Sequence, residues 1–285
     1  MLGFSARRSL PKWRADTFWR APQVTALATR EEAIAAAAAT GKAAVLFVDT
    51  FNGTFETENA RAAARVLQAA GYAVHCVSKP GGGHHCCGRS YLAAGMVGEA
   101  KARASALIDA LLPLAQAGVA IVGLEPSCLL TLRDETLVMG LGEKAVVVSR
   151  QALMFEEFIA REVKVGRFAL QLKPAGKPIL LHGHCHQKAF GAVSPILDVL
   201  KLIPEARPEL IESSCCGMAG SFGYEAAHYD VSMRMAEASL LPAVRQQPDA
   251  IIVADGTSCR HQIADGAQRE ALHVARLLEL LLVSA

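Results

Sequence analysis

The sequence lacks several signatures that would each assign a function class. No basic run interleaved with aromatics occurs in its main body, and a net charge of +2 leaves no electrostatic footprint for nucleic acid. The apolar stretches at 33–39 and 277–283 are shorter than the roughly 18–20 residues of a transmembrane span, and none is expected. No apolar segment follows the first positive residues, so they do not read as a signal peptide. The loop Pro80-Gly81-Gly82-Gly83 is glycine-rich but lacks the Gly-x-Gly-x-x-Gly frame, and no P-loop or Gly-x-Ser-x-Gly elbow is present. Aromatics make up only 6% of a chain that is 52% hydrophobic. With alanine and leucine dominant, this composition favours helices packed on a sheet. A cytoplasmic protein is expected, with peripheral contact to an inner-membrane complex left open.

Basic residues concentrate at the start. Arg7, Arg8, Lys12, Arg14, Arg20 and Arg30 face one acid, Asp16, and both tryptophans, Trp13 and Trp19, lie among them. Two readings stand: a poorly ordered terminus, or an arm that docks a partner through Trp and Arg. Residues 1–42 are accordingly read as a basic arm with a lead-in helix over 31–40.

The eight cysteines are too few and too unevenly spaced for a disulfide scaffold of 285 residues. Two pairs are adjacent, Cys86-Cys87 and Cys215-Cys216. Neighbouring Cα atoms lie about 3.8 Å apart, below the usual disulfide range of about 4.4–6.8 Å, so these pairs point to metal or redox chemistry.

The chain is also written twice. Strand (44–48), helix (60–70), strand (72–77), Cys86-Cys87-Gly88, a long helix to about residue 117 and strand (119–124) lead to Cys128. The second pass runs strand (178–181), helix (194–202), strand (210–212), Cys215-Cys216-Gly217, helix (224–245) and strand (250–253) to Cys259. The gap from pair to final cysteine is 42 residues in one pass (86 to 128) and 44 in the other (215 to 259). Such alternation predicts an α/β protein of two similar Rossmann-like halves with parallel sheets, related by internal duplication. The halves are placed at 43–150 and 151–285.

In parallel sheets, sites gather beyond the carboxyl ends of the strands. Cys185, Cys215, Cys216 and Cys259 each follow a strand of the second half, so they should converge. Four thiolates suit a four-iron, four-sulfur cluster. Zinc competes chemically, but its structural sites typically bring paired cysteines about two to four residues apart, and no such knuckle is present. Gly217 and Gly88 are expected to let backbone N–H groups approach the sulfurs. If the strand stays extended, His182, His184 and His186 face away from Cys185, with His184 or His186 tuning the cluster rather than binding it. In the first half Cys86, Cys87 and Cys128 repeat the pattern, but Asp49-Thr50-Phe51 stands where Cys185 would be. His84 or His85 could complete a zinc or iron site there, or the site is an emptied duplicate.

Two Cys-Cys-Gly motifs, each with a later cysteine at a strand end, resemble the cysteine-rich domain family over about residues 43–265. That family includes the heterodisulfide reductase B subunit and iron–sulfur subunits of glycolate and lactate oxidation. His182-Gly183-His184-Cys185-His186-Gln187-Lys188-Ala189, Glu125-Pro126-Ser127-Cys128 and Ser258-Cys259-Arg260-His261-Gln262-Ile263 look like the C-terminal region of large FAD-linked oxidases. These in turn resemble D-lactate and D-2-hydroxyglutarate dehydrogenases. The lead-in Leu2-Gly3-Phe4 with Arg8-Ser9-Leu10-Pro11 is similar to their inter-domain stretch.

The resemblance implies an electron-transfer subunit or domain of a flavin-linked 2-hydroxyacid dehydrogenase. Electrons would come from FAD on a flavoprotein partner, through a ferredoxin-like subunit or domain, and go toward a quinone or membrane-complex acceptor. With no flavin domain, the chain is not expected to oxidise the acid alone. A cluster-based thiol–disulfide reductase and a zinc-binding scaffold are the other readings.

Overall fold

Short uninterrupted apolar runs between turn residues suit strands that are buried on both faces of a parallel sheet. The computed structural model describes residues 3–20, 27–80 and 82–283 and contains that pattern in two units. Leu2 of the lead-in motif and Gly81 of the glycine-rich loop lie outside the described residues.

The first unit, Trp13–Gln171, holds β1 (Ala43–Phe47), β2 (Ala73–His75), β3 (Ala120–Gly123) and β4 (Ala152–Met154). They form one sheet in the order β2-β1-β3-β4, with every pairing parallel. β1 and β3 are buried at every position, as their all-apolar sequences require. The helix Arg30–Thr40 starts at a capping box: the Glu32 N–H donates to Thr29 Oγ1 and the Thr29 N–H to Glu32 Oε2. The helix Thr57–Ala69 buries Ala60, Ala63, Val66 and Leu67 against β1 and β2.

The second unit comprises the described residues up to Lys12 and those from Leu172 on. Its strands are β5 (Ile179–Leu181), β6 (Pro208–Leu210), β7 (Ile251–Val253) and β8 (Ala271–Leu272), in the order β6-β5-β7-β8 and again all parallel. The α/β class and the two similar parallel halves are as the duplicated pattern predicts.

Three details differ from expectation. β4 and β8, only three and two residues long, carry too little periodicity to be read from sequence. The helix expected over 224–245 is broken into Tyr229–Glu237 and Leu240–Gln246. Pro242 has no N–H to continue the first helix but is tolerated in the opening turn of the second. The N-terminal arm is largely built into the units. Phe4 bridges Glu225, and buried Arg8 donates to the carbonyl of Gly223 (3.0 Å) and to Ser232 Oγ (3.1 Å). Arg7 pairs with Asp230, and Arg14 with Asp16 and Glu58.

Gly88 and Gly217, each following a cysteine pair, have φ of +88° and +91°. A Cβ at Gly88 would lie 2.5 Å from the Ala100 carbonyl oxygen, and one at Gly217 would collide with the Ser232 carbonyl. Gly95 has φ +75° but faces open space. Gly88→Ala should therefore cost about 2–4 kcal/mol, left-handed strain plus overpacking, against about 1–2 kcal/mol for Gly95→Ala. Urea midpoints of the two variants check this, and equal losses would remove the close-approach argument.

Candidate metal centre

Because both sheets are parallel, the turn after each strand reaches the same edge. In the second unit, β5 ends at Leu181 and the chain passes through His182 and Gly183 into the short helix Cys185–Ala189, N-capped by His184. The His186 N–H donates to His184 Nδ1 at 3.2 Å, and that nitrogen lies 3.9 Å from Cys185 Sγ. The expected separation of the histidines from Cys185 is therefore corrected. The strand stops before it can alternate, and capping folds His184 back beside the sulfur. The His184 and His186 rings stack with centroids 5.1 Å apart.

The turn after β6 carries Cys215-Cys216-Gly217, and the Gly217 N–H donates to Cys215 Sγ at 3.3 Å. Cys259 is the third residue of the helix Thr257–Ala267, which follows β7. Cys216 and Cys259 are buried in a core with Leu180, Ile252 and Ile263, Cys215 is half-buried, and Cys185 is exposed. The four thiols form one chain of contacts: Cys185 with Cys215, Cys215 with Cys216, and Cys216 with Cys259.

Two further groups complete this site. A ring nitrogen of His182 and the sulfurs of Cys216 and Cys259 lie within 4.8 Å of one another, while His182 Nδ1 meets Ser213 Oγ at 2.9 Å. Lys188 donates to the carbonyl of Ser213, and to that of Ser214 at 2.8 Å. In the sequence His182 stands out only as part of a histidine-rich strand end, and Lys188 only as part of a motif. Their distinguishing signal is position, directly after β5 and on the exit helix.

The electrostatics alternate along the thiol chain. Contact with Cys185, then with Cys216, pulls the Cys215 thiol far below its ordinary value. Contact with Cys216 lowers Cys259 against the opposing effect of burial, and His182 and His184 add to the lowering. Cys185 is raised by Cys215 and by burial, and Cys216 by Cys215, Cys259 and burial. The site thus favours thiolates at Cys215 and Cys259, alternating with thiols at Cys185 and Cys216, and the thiolate is the form that metal binding requires.

The first unit repeats the backbone with different chemistry. Thr50 follows the N-cap Asp49 as Cys185 follows His184, and it contacts Cys86 as Cys185 contacts Cys215. Cys86, Cys87 and Cys128 continue the chain of contacts. The N–H groups of Gly88 and Arg89 donate to Cys86 and Cys87 Sγ, both at 3.4 Å. Here carboxylates stand beside the thiols. Contact with Cys87 pulls Cys128 down, but burial and the charges of Asp49 and Glu125 push it up to about 11. Cys86 and Cys87 are raised as well. His84 and His85 feel burial and Lys79, and His85 the Ser78 carbonyl, rather than the thiols.

The donor set of the second unit fits an iron–sulfur cluster: four thiols in one chain of contacts, backbone N–H groups of His186, Gly217 and Met218 on Cys185, Cys215 and Cys216, and Lys188 offsetting negative charge. The chain belongs to the cysteine-rich domain family, whose model matches residues 47–133 and 180–264. A subunit of the anaerobic glycerol-3-phosphate dehydrogenase of Escherichia coli (strain K12) is 26% identical over 278 residues, covering 95% of this chain and 65% of that protein. The D-2-hydroxyglutarate dehydrogenase of the same strain is 30% identical over 161 residues, 54% of this chain and 15% of the relative. That of Pseudomonas putida is 30% identical over 163 residues, with 56% and 15% covered. A crystal structure of a hypothetical protein from Helicobacter pylori aligns with TM-score 0.47 at 13% identity, over 86% of this chain and 49% of that one. The chain thus spans about 65% of the length of the first of these relatives and a small part of the dehydrogenases. The family and these relatives support a redox subunit with a metal cluster. Among the described residues, no helix is long and apolar enough to cross a membrane.

Asp49 is 1% exposed, and burial together with the Glu125 charge pushes its carboxyl up to about 6 from an ordinary 3.8. A raised carboxyl destabilises the fold above its folded pKa and ceases to do so below its unfolded one. The Asp49 contribution to stability should therefore fall as pH rises from 3.8 to about 6. Asp49→Asn keeps an acceptor for the N-cap and removes the titration. Relative to wild type it should gain on the order of 2–3 kcal/mol between pH 4 and pH 7, read from urea midpoints.

Proposed function

We propose that Cys185, Cys215, Cys216 and Cys259 hold a single four-iron, four-sulfur cluster, and that the chain is the electron-transfer component of a flavin-linked dehydrogenase. The observation that carries this reading is the second unit's chain of four thiols, two of them biased toward thiolate. The bound cluster supplies a one-electron carrier. The residues do the rest: Cys216 and Cys259 anchor it in the core, the Gly217 N–H donates toward Cys215, and His182 and His184 favour the ionised sulfurs. Cys185, the exposed ligand, marks the edge at which electrons enter or leave.

The first unit is read as an altered duplicate without a cluster. Thr50 offers a hydroxyl where a thiolate is needed, and Asp49 and Glu125 oppose ionisation of Cys128. The partner is a flavoprotein that oxidises a small hydroxylated substrate, with a quinone as a candidate final acceptor. Both glycerol 3-phosphate and 2-hydroxyglutarate, named in the relatives, carry a secondary alcohol, so the substrate class extends beyond 2-hydroxy acids.

The test is iron, zinc and acid-labile sulfide content of anaerobically purified chain, with EPR of the dithionite-reduced form. We expect about four irons and four sulfides per chain, lost in Cys216→Ser and kept in Cys87→Ser. Zinc without sulfide would overturn the proposal, and about eight irons would return a cluster to the first unit.

A further inference from the structure

Parallel strand–turn–helix corners occur at equivalent places in the two units, yet their side chains exchange size. After β5 the chain reads Gly183-His184-Cys185-His186-Gln187-Lys188, and after β1 it reads Val48-Asp49-Thr50-Phe51-Asn52-Gly53. His184 and Asp49 are the N-caps, so Gly183 corresponds to Val48 and Lys188 to Gly53. A Cβ on Gly183 would meet Val193 Cγ2 at 3.0 Å and Lys188 Cε at 3.4 Å, and one on Gly53 would meet Trp19 Nε1 and Val48 Cγ1, both at 3.3 Å. Each corner thus packs a glycine against its opposite number, and only the four-cysteine corner carries a lysine there.

Lys188 reaches the cysteine-pair turn. Its ammonium donates to the carbonyls of Ser213 and Ser214 (2.8 Å) and lies 3.4 Å from Ser213 Oγ, on the two residues before Cys215. It is half-buried, and its charge acts on Cys185, Cys215, Cys216 and Cys259 together. A partly desolvated cation beside several sulfurs is screened far less than a surface charge. One added electron makes a cluster more negative, so a fixed cation stabilises the reduced form and raises the reduction potential.

We propose that Lys188 is a positioning residue that sets the potential of the centre through its charge. This inference rests on the function proposed above. The experiment is an EPR-monitored redox titration of the anaerobically purified full chain as wild type, Lys188→Gln and Lys188→Arg, with iron and sulfide measured on each. The amide of Gln can still donate to the carbonyls but carries no charge, and Arg keeps the charge. Loaded Lys188→Gln with a more negative midpoint, and Lys188→Arg near wild type, is the expected result. Equal midpoints in loaded wild type and Lys188→Gln would overturn the Lys188 assignment alone. If Lys188→Gln does not load, Lys188→Met replaces it. Loss of the cluster from both, with Arg loaded, would make Lys188 an assembly residue and also overturn the tuning role. Wild type without iron and sulfide would overturn both this inference and the function beneath it.

Discussion

Buried thiolates are stable only where something offsets their charge, and the second unit is arranged around that requirement. Its parallel sheet sends three successive turns to one edge, so His182, Cys185 and Lys188 arrive from β5, the cysteine pair from β6 and Cys259 from β7. The turn after β6 carries two adjacent sulfurs because Gly217 takes a left-handed conformation that aims its N–H at Cys215. Without that glycine the turn would collide with the Ser232 carbonyl, and the pair could not sit against the core.

The first unit shows what the same backbone does when the compensation is reversed. Thr50 stands for Cys185, Asp49 for His184, Gly53 for Lys188, and Glu125 for Gly256 as N-cap of the helix that bears the last cysteine. Every exchange either removes a thiol or a basic side chain or adds a carboxylate. The N–H donors to Cys86 and Cys87 remain, so the turn geometry outlasts the electrostatics. Duplication preserved the fold, while the charge around the thiols diverged.

Much of this was readable in the sequence because the relevant signals are local or repeated. The two nearly equal cysteine gaps exposed the duplication, and the apolar runs at 44–48 and 119–124 located β1 and β3. The gap in the cysteine pattern at residues 49–51 is visible for the same reason. What escaped depends on how local structure ends. His182, His184 and His186 do not alternate along a strand, because β5 is only three residues long and His184 caps a helix. Thr50, His182 and Lys188 have no motif of their own, and their contacts emerge only when separate turns meet. The basic arm was misleading for a similar reason. Arg8 looks like a surface charge in sequence, but its guanidinium is buried between Gly223 and Ser232.

The burial gradient across the four cysteines links structure to the proposed role. An electron carrier must be insulated enough to hold its potential and exposed enough to exchange electrons with a partner. Cys216 and Cys259 supply the first condition from within the core, and exposed Cys185 with half-buried Cys215 supplies the second. Half-buried His186 and Lys188 lie on the helix that carries Cys185, and buried His184 caps it. In this arrangement the Lys188 charge stands on the accessible side of the centre. Under the proposed function, a partner docking there would meet the charge that favours electron arrival, and the helix after β5 would carry both the compensation and the route.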